Sequence, residues 1–285
     1  MKVVFYSLFG LFTALLMLAT LFDGAISEML YVGQTPYTVF IHRFGHMPNY
    51  WMLFLAVGVL FKHAILHRHA FKRLTLLMMV LFSLAAVTLF IGTVWRYFDR
   101  PGFTVPLVTL VMLVSAAGLA VLFPERNRRY REYALIYVVT FFIAYLIVAT
   151  LKFVWMRERF MHGVDPMDVG YWFVPEGFFV GGGQFTSFPS GHMTSATMTM
   201  VFVVAARELK AGIVVRVVIA ATFGAWLGLV ALGRLMGGYH YLSDLVVAAI
   251  VVVVTMTLVR RWLEPIIRWL ETMTRKLMDE LKRDE

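Results

Sequence analysis

Three short polar segments interrupt an otherwise apolar sequence, and their residue types together suit the handling of a phosphate group. Lysine and arginine provide cationic donors that match phosphate oxygens, whereas histidine and aspartate provide groups for nucleophilic or acid–base catalysis. The segments are Lys152 to Arg159, Pro189-Ser190-Gly191-His192, and Arg234 through His240 to Asp244. Their composition indicates phosphate chemistry.

The spacing of four residues between His240 and Asp244 has a direct chemical meaning. Residues four apart share a face of a helix, so we expect both in the first turn of one helix. The carboxylate would then accept a hydrogen bond from one ring nitrogen. The other nitrogen would be left to act as a nucleophile or base.

Ser190 stands at a predicted helix start, directly before the apolar run that begins at Gly191. A serine in this position caps one free amide of the first turn, and the remaining amides attract an anion. The alternative is an ordinary helix cap that follows Pro189. The neighbouring motifs favour the phosphate interpretation.

The three segments resemble the signature of the type 2 phosphatidic acid phosphatase superfamily, which reads Lys-x6-Arg-Pro, Pro-Ser-Gly-His and Ser-Arg-x5-His-x3-Asp. Every charged or imidazole position of that signature is matched here. Two flanking positions differ, because Phe160 replaces the proline and Gly233 replaces the serine. The first change should alter loop geometry, and the second removes one hydroxyl donor.

The resemblance implies a role for each motif residue. His240 would attack phosphorus to form a phosphohistidine, His192 would protonate the leaving oxygen, and Asp244 would orient His240. The phosphate-binding positions would be Lys152, Arg159, Ser190, Gly191 and Arg234. The resemblance implies neither a cofactor nor a metal.

Other polar residues near the motifs match no position of the signature. Arg157 is expected to lie at lipid headgroups, where interfacial arginines are common. His42 and His46 are expected on an outer loop and have no assigned partner. The long loop over 163–188 is rich in aromatic residues, which suits either a lid at the lipid interface or an aromatic belt that packs the loop down.

Composition places the chain in a membrane. Hydrophobic residues make up 60% of the sequence and charged residues 15%, and the mean hydropathy is +0.77. These values exclude a soluble vanadate-dependent haloperoxidase, which belongs to a class of enzymes with a similar arrangement of active-site residues. The absence of cysteine excludes disulfides and thiol catalysis.

Eight apolar stretches have about the length of 17 to 22 residues that a helix needs to cross the hydrocarbon core. They lie near 3–22, 50–66, 74–95, 103–123, 132–151, 191–207, 211–232 and 241–259. The sequence therefore predicts an all-α polytopic membrane protein with about eight transmembrane helices. The first stretch is expected to be an uncleaved span, because it is too long for a typical signal peptide.

The resemblance to a six-helix family divides the predicted chain into three parts. A phosphatase core would occupy 74–259. An N-terminal addition over 1–73 would contribute two helices and an outer loop at 23–49. In residues 260–285, apolar residues recur every three to four positions and charged residues occupy most of the positions between them. This pattern predicts an amphipathic helix on the cytoplasmic membrane surface.

The distribution of basic residues predicts the orientation, because cytoplasmic loops carry an excess of lysine and arginine. A cytoplasmic N-terminus places 19 of the 26 lysines and arginines inside, with the C-terminus also cytoplasmic. All three motifs then lie on the extracytoplasmic face. The net charge of +9 thus indicates an anionic membrane surface as partner, with no need for nucleic acid.

These observations predict a metal-independent lipid phosphatase of the cell membrane. It would hydrolyse a terminal phosphate of a lipid phosphomonoester or diphosphate, of the phosphatidic acid or undecaprenyl diphosphate type. One alternative is a phosphotransferase, in which a second lipid replaces water as acceptor. The other is a transporter, although the charges cluster at one interface and do not run through the span centres. The sequence ranks neither the lipids nor the oligomeric states.

Overall fold

The computed structural model describes residues 2–66, 104–122, 128–177 and 183–283, together with 77, 80, 81, 83, 84, 86–88 and 90–92. Its α-helices outside the partly described 77–92 segment are α1 (Lys2–Leu30), α2 (Pro36–Phe44), α3 (Met47–Leu66), α4 (Thr104–Leu122), α5 (Arg128–Trp155), α6 (Gly191–Met198), α7 (Val201–Glu208), α8 (Ile213–Met236) and α9 (Leu242–Arg283). Short 3-10 helices occupy Phe160–His162 and Gly183–Phe185. The described residues contain no strand, which confirms the predicted all-α class.

Five described segments are long and apolar enough to cross a membrane. They are Gly10–Leu30, Pro36–Ile65, Arg129–His162, Ile213–Met236 and Leu242–Leu263, and α4 adds a shorter apolar helix, Leu107–Leu122. The prediction of a multi-pass membrane protein is therefore confirmed. The predicted span at 74–95 lies only partly within the described residues.

Packing divides the chain into two units. The first combines Met1–Asn49 with Phe142–Val254, and the second combines Tyr50–Phe141 with Thr255–Glu285. The first unit contains all three motifs. Within it, α8 packs against α1, α2, α6 and α7, so this helix organises the unit.

The predicted outer loop over 23–49 is largely helical. α1 continues through this stretch after an interruption at Phe22, where φ is −135° and ψ is 15°. α2 begins at Pro36, and Thr35 and Thr38 form a capping box that satisfies free amides at its start. The apolar run ends before α1 does, and for that reason hydropathy alone places the helix end too early.

The predicted span at 191–207 consists of two short helices, α6 and α7. Threonine hydroxyls in α6 and just after it donate to backbone carbonyls three or four residues earlier, and such bonds bend helices. The pairs are Thr194 with Ser190 at 2.9 Å, Thr197 with Met193 at 2.7 Å and Thr199 with Ala196 at 2.6 Å. Between the two helices the backbone tightens to bonds between residues three apart.

α9 is one continuous helix of 42 residues. At about 1.5 Å per residue it is roughly 63 Å long, about twice the thickness of the hydrocarbon core. The predicted amphipathic segment at 260–285 continues the last span through Pro265, as far as the structure describes it. Its exposed apolar side chains include Trp262, Ile266, Trp269 and Met273.

Candidate active site

The three motifs meet at one end of the first unit. Lys152 lies in the last turn of α5, and Arg159 lies in the loop that follows. Ser190 precedes α6, and Arg234 lies in the last turn of α8. The backbone amide of Ser190 donates to the carbonyl of Asp244 at 3.1 Å, which ties the start of α6 to the start of α9.

His240 and Asp244 are adjacent, but not in the geometry that their spacing predicts. His240 precedes α9, whereas Asp244 lies in its first turn. Asp244 Oδ2 accepts the backbone amide of Tyr241 at 3.0 Å, so the carboxylate also caps the helix. His240 Nδ1 lies 3.4 Å from Asp244 Oδ2 without a well-formed hydrogen bond. The expectation of both residues in one helical turn was therefore wrong, although the ring and the carboxylate do lie side by side.

Asp244 is fully buried and receives donors from several elements. Arg157 Nη1 donates to Oδ1 at 2.9 Å, and the hydroxyl of Ser187 donates to Oδ2 at 2.5 Å. Donors of this kind stabilise the ionised carboxylate. The negative charge that faces His240 is therefore held in place before any ligand arrives.

His240 lies between two membrane-spanning segments, and burial lowers the pKa of its imidazole well below the usual 6.5. Asp244 opposes this shift, while the positive charges of Arg234 and Lys152 reinforce it. Burial therefore outweighs the effect of the neighbouring carboxylate. A neutral imidazole is the form that a nucleophile requires.

The cationic residues of the motifs form a basic cluster, defined here as Lys152, Arg159 and Arg234. Lys152 Nζ donates to the carbonyl of Thr186 at 2.5 Å, and Arg159 Nη2 donates to the hydroxyl of the same residue at 2.9 Å. Arg234 is 1% exposed and stacks on the ring of Tyr239, with its Cζ 4.0 Å from the ring centroid. These contacts hold three cationic side chains, of the kind that bind phosphate oxygens, beside the other motif residues.

The Pro-Ser-Gly-His segment has the predicted helix start. The hydroxyl of Ser190 accepts the amide of Met193 at 3.3 Å, and Gly191 is the first residue of α6. His192 is buried, and its Nε2 donates to the backbone carbonyl of His42 at 3.0 Å. A carbonyl can only accept, so this bond fixes a proton on Nε2 and holds the ring in one orientation.

Arg157 does not lie at lipid headgroups, which corrects the expectation from the sequence. Its side chain is 1% exposed and pairs with Asp244 at 2.9 Å and with Asp23 at 3.2 Å. Its guanidinium also stacks on the ring of Tyr241 at 4.1 Å. We call Asp23, Arg157 and Asp244 the buried ion network. The sequence shows a second arginine, Arg157, two residues before the motif residue Arg159. It does not show which carboxylates Arg157 contacts.

The N-terminal helices supply further residues that the sequence did not assign. His42, on α2, has its Nδ1 2.9 Å from Arg234 Nη1, and its ring stacks on Tyr239. His46 Nδ1 lies 2.6 Å from the hydroxyl of Ser195, and its ring centroid is 3.8 Å from that of His192. Both histidines thus adjoin the motif residues.

The two departures from the family signature have structural explanations. Phe160 begins the 3-10 helix after Arg159 and packs edge-on against Tyr31 at 5.4 Å. At Gly233, a Cβ atom would lie 2.8 Å from the side chain of Ile41, which is buried on α2. Any larger residue would push α2 away from α8, so glycine permits their close packing.

The described part of the aromatic loop is tied to its surroundings. Trp172 Nε1 donates to the hydroxyl of Thr20 on α1 at 2.9 Å, and its carbonyl accepts Trp155 Nε1 at 2.7 Å. Phe188 is buried and stacks on Trp155. These contacts favour the packed alternative for the described residues. Residues 178–182 lie outside the described part of the chain.

Comparison with known families agrees with this arrangement. The model of the PAP2 superfamily matches residues 133–268, a segment that contains every predicted catalytic and phosphate-binding residue. Residues 133–268 belong to the PAP2 superfamily. Searches of curated proteins and of solved structures each gave no significant match.

Family membership and helix composition together define the general class. The PAP2 superfamily is a family of phosphatases, and the predicted recognition of this family is confirmed. The apolar helices are those of a multi-pass membrane protein. Among the described residues, no group of three histidines, cysteines or acidic residues is arranged to hold a metal ion.

Proposed function

We propose that the protein removes a terminal phosphate from a lipid phosphomonoester or diphosphate at the extracytoplasmic membrane face. The observation that carries this proposal is the juxtaposition of the His240–Asp244 pair, 3.4 Å apart, with the basic cluster. A neutral imidazole backed by a carboxylate is an activated nucleophile. Cationic donors around it suit a phosphoryl group and stabilise its transition state.

In the first half-reaction, His240 attacks phosphorus in line and forms an N–P bond as the bond from phosphorus to the lipid oxygen breaks. His192, whose protonated form the bound phosphate anion stabilises against the effect of burial, gives a proton to that oxygen. The lipid then leaves as an alcohol or, from a diphosphate, as a monophosphate. The positive charge that develops on the His240 ring faces Asp244. Asp244 stabilises this charge without itself taking a proton.

In the second half-reaction, water attacks the phosphohistidine and the N–P bond breaks. His192, now neutral, accepts a proton from that water, and inorganic phosphate leaves. In the net reaction, one lipid phosphate and one water give one inorganic phosphate and one lipid alcohol, or one lipid monophosphate when the substrate is a diphosphate. The residues return to their starting protonation states, as a catalyst requires.

The lipid nature of the substrate is supported by the apolar surfaces near the site. In the loop after α5, Met167 is 91% exposed and Tyr171 and Phe173 also expose their rings. α8, which carries Arg234 in its last turn, exposes the nearby apolar side chains of Leu229 and Leu232. Such surfaces suit contact with acyl or isoprenoid chains.

The test is phosphate release by purified full-length protein from a panel of lipid phosphates, with soluble phosphate esters of matched head groups alongside. We expect release from lipid substrates, inhibition by vanadate and no effect of EDTA. A mock purification from cells that lack the protein is the control for contaminating phosphatases, and the His240→Ala variant tests the nucleophile. Release from soluble esters alone, EDTA-sensitive release that divalent ions restore, or phosphate transfer to a second lipid would each contradict the proposal.

The orientation can be tested separately, because the chain contains no cysteine and offers a clean background. Asp168 lies on the exposed part of the loop after α5, and Lys210 lies exposed between α7 and α8. We expect a membrane-impermeant maleimide to label Asp168→Cys in intact cells and Lys210→Cys only after lysis. The reverse pattern would place the site on the cytoplasmic face.

A further inference from the structure

Asp23 is an acidic side chain from α1 that reaches the phosphatase site from outside the family-matched segment. It is the first acidic residue of the chain and is 6% exposed. Oδ1 accepts the backbone amide of Ser243 at 3.0 Å, so Asp23 caps the first turn of α9 from another helix. Oδ2 accepts Arg157 Nη2 at 3.2 Å and the hydroxyl of Ser243.

Arg157 links Asp23 to Asp244 through one guanidinium group. Nη1 donates to Asp244 Oδ1 at 2.9 Å and to the hydroxyl of Ser243 at 2.7 Å, while Nη2 also donates to the carbonyl of Gly170 at 2.9 Å. A planar guanidinium presents donors in a fixed fork, so these bonds fix the orientation of Asp244. Asp244 in turn lies against His240.

The charges of this network matter to the reaction. With only Arg157 beside it, the charge of Asp244 would be cancelled; when Asp23 is ionised as well, the formal charges of the three residues sum to −1. Glu176 lies 3.4 Å from Arg157 Nε. Burial raises the pKa of the Glu176 carboxyl, which favours its neutral form. A net negative charge next to His240 stabilises the cationic ring that forms as phosphorus is attacked.

We propose that Asp23 is a positioning residue of the phosphatase site, which caps α9 and shares Arg157 with Asp244 so that Asp244 keeps a negative charge for His240. The inference rests on the proposed function, since it takes His240 as the nucleophile. It makes the N-terminal helix α1 part of the catalytic apparatus. Asp23 acts on the substrate only through Asp244 and His240.

The primary test is Asp23→Asn in the full-length protein. The amide oxygen can still accept the amide of Ser243, whereas the charge is lost. We expect kcat to fall about 10- to 100-fold with little change in KM, as for a small misplacement of a reacting group. Asp168→Asn, the same change at an exposed site in the same unit, is the matched control and should behave as wild type.

The pH profile separates an electrostatic role from a purely structural one. His240 faces Asp244 on α9, Arg234 on α8, Lys152 on α5 and His192 on α6. Loss of the negative charge at position 23 disfavours the imidazolium, so the acidic limb of kcat/KM should move to lower pH. Arg157→Gln should move the same limb to higher pH, because it removes a positive charge.

The double variant Asp23→Asn with Arg157→Gln restores the net charge beside His240, and its acidic limb should return toward that of wild type. Melting temperatures of all variants report folding. If Asp23→Asn does not fold, the acidic limb of kcat/KM can still be measured with the double variant. If neither variant folds, Asp23 and Arg157 have only a structural role and the inference is overturned.

The outcome also distinguishes this inference from the proposed function. If wild type releases no phosphate from any lipid, or if His240→Ala remains active, the proposed function fails. If release depends on His240 while Asp23→Asn keeps the kcat and the acidic limb of wild type, only the role of Asp23 fails. Shifts of the same sign for Asp23→Asn and Arg157→Gln would have the same consequence.

Discussion

Arg157 and Arg159 are two residues apart and lie in opposite settings. Arg157 is buried in the ion network between Asp23 and Asp244, whereas Arg159 is half-buried and donates to the hydroxyl of Thr186. An arginine paired with buried carboxylates stabilises the protein, whereas an arginine at a motif position is placed to bind an external anion. We propose that the buried ion network provides positioning and the basic cluster provides phosphate binding, and the following changes test that division.

The largest effect should come from His240, where the two regions meet. His240→Ala should lower kcat by more than about 10⁴-fold, because it removes the nucleophile. Wild type quenched during turnover should contain a base-stable, acid-labile phosphoenzyme, and the variant should contain none. Appreciable turnover by His240→Ala would assign the nucleophile elsewhere.

Asp244→Asn should have the next largest effect, because it changes the residue that connects the ion network to the nucleophile. The amide keeps the shape but does not offset the charge of the ring, and a comparable change in a serine triad costs about 10⁴-fold in kcat. We expect a loss of about 10³- to 10⁴-fold, measured as steady-state phosphate release. Near-normal turnover would separate Asp244 from the reaction and leave it only the cap of α9.

The paired variants Arg157→Gln and Arg159→Gln test the division itself. Arg157→Gln leaves buried carboxylates without their partner, so the free energy of unfolding should fall by about 3 to 5 kcal/mol. Arg159→Gln should leave thermal stability nearly unchanged and lower kcat/KM by about 10²- to 10³-fold, as expected for a donor to the transition state. Thermal melting and kinetics on both proteins check this. A stability loss at position 159 equal to that at 157 would remove the distinction.

The smallest effect concerns pH. Burial lowers the pKa of His240 in the unliganded site, and attack requires the neutral ring. Since kcat/KM reports the free enzyme, its acidic limb should lie below the usual imidazole pKa of about 6.5. A profile of kcat/KM between pH 4 and 9, with buffers of constant ionic strength, measures it. A limb above 6.5 would mean that Asp244 outweighs burial.

The sequence alone determined the membrane class and the identity of the motif residues. Hydrophobic runs of membrane-spanning length and the spacing of His240 and Asp244 are local properties, readable without a fold. The family match over 133–268 confirms the recognition that these motifs support. The site roles, the division of the chain at 73 and 259, and the orientation remain predictions.

The tertiary structure decided what the motifs contact. Asp23 and Ser243 are 220 positions apart, and His42 and Arg234 are 192 apart, so no local pattern relates them. Such pairs form only when helices pack, and packing depends on details such as the space that Gly233 leaves for α2. Local spacing can specify which groups face one another within a turn. Only the packing of the helices determines which distant charged residues neutralise, cap or orient those groups.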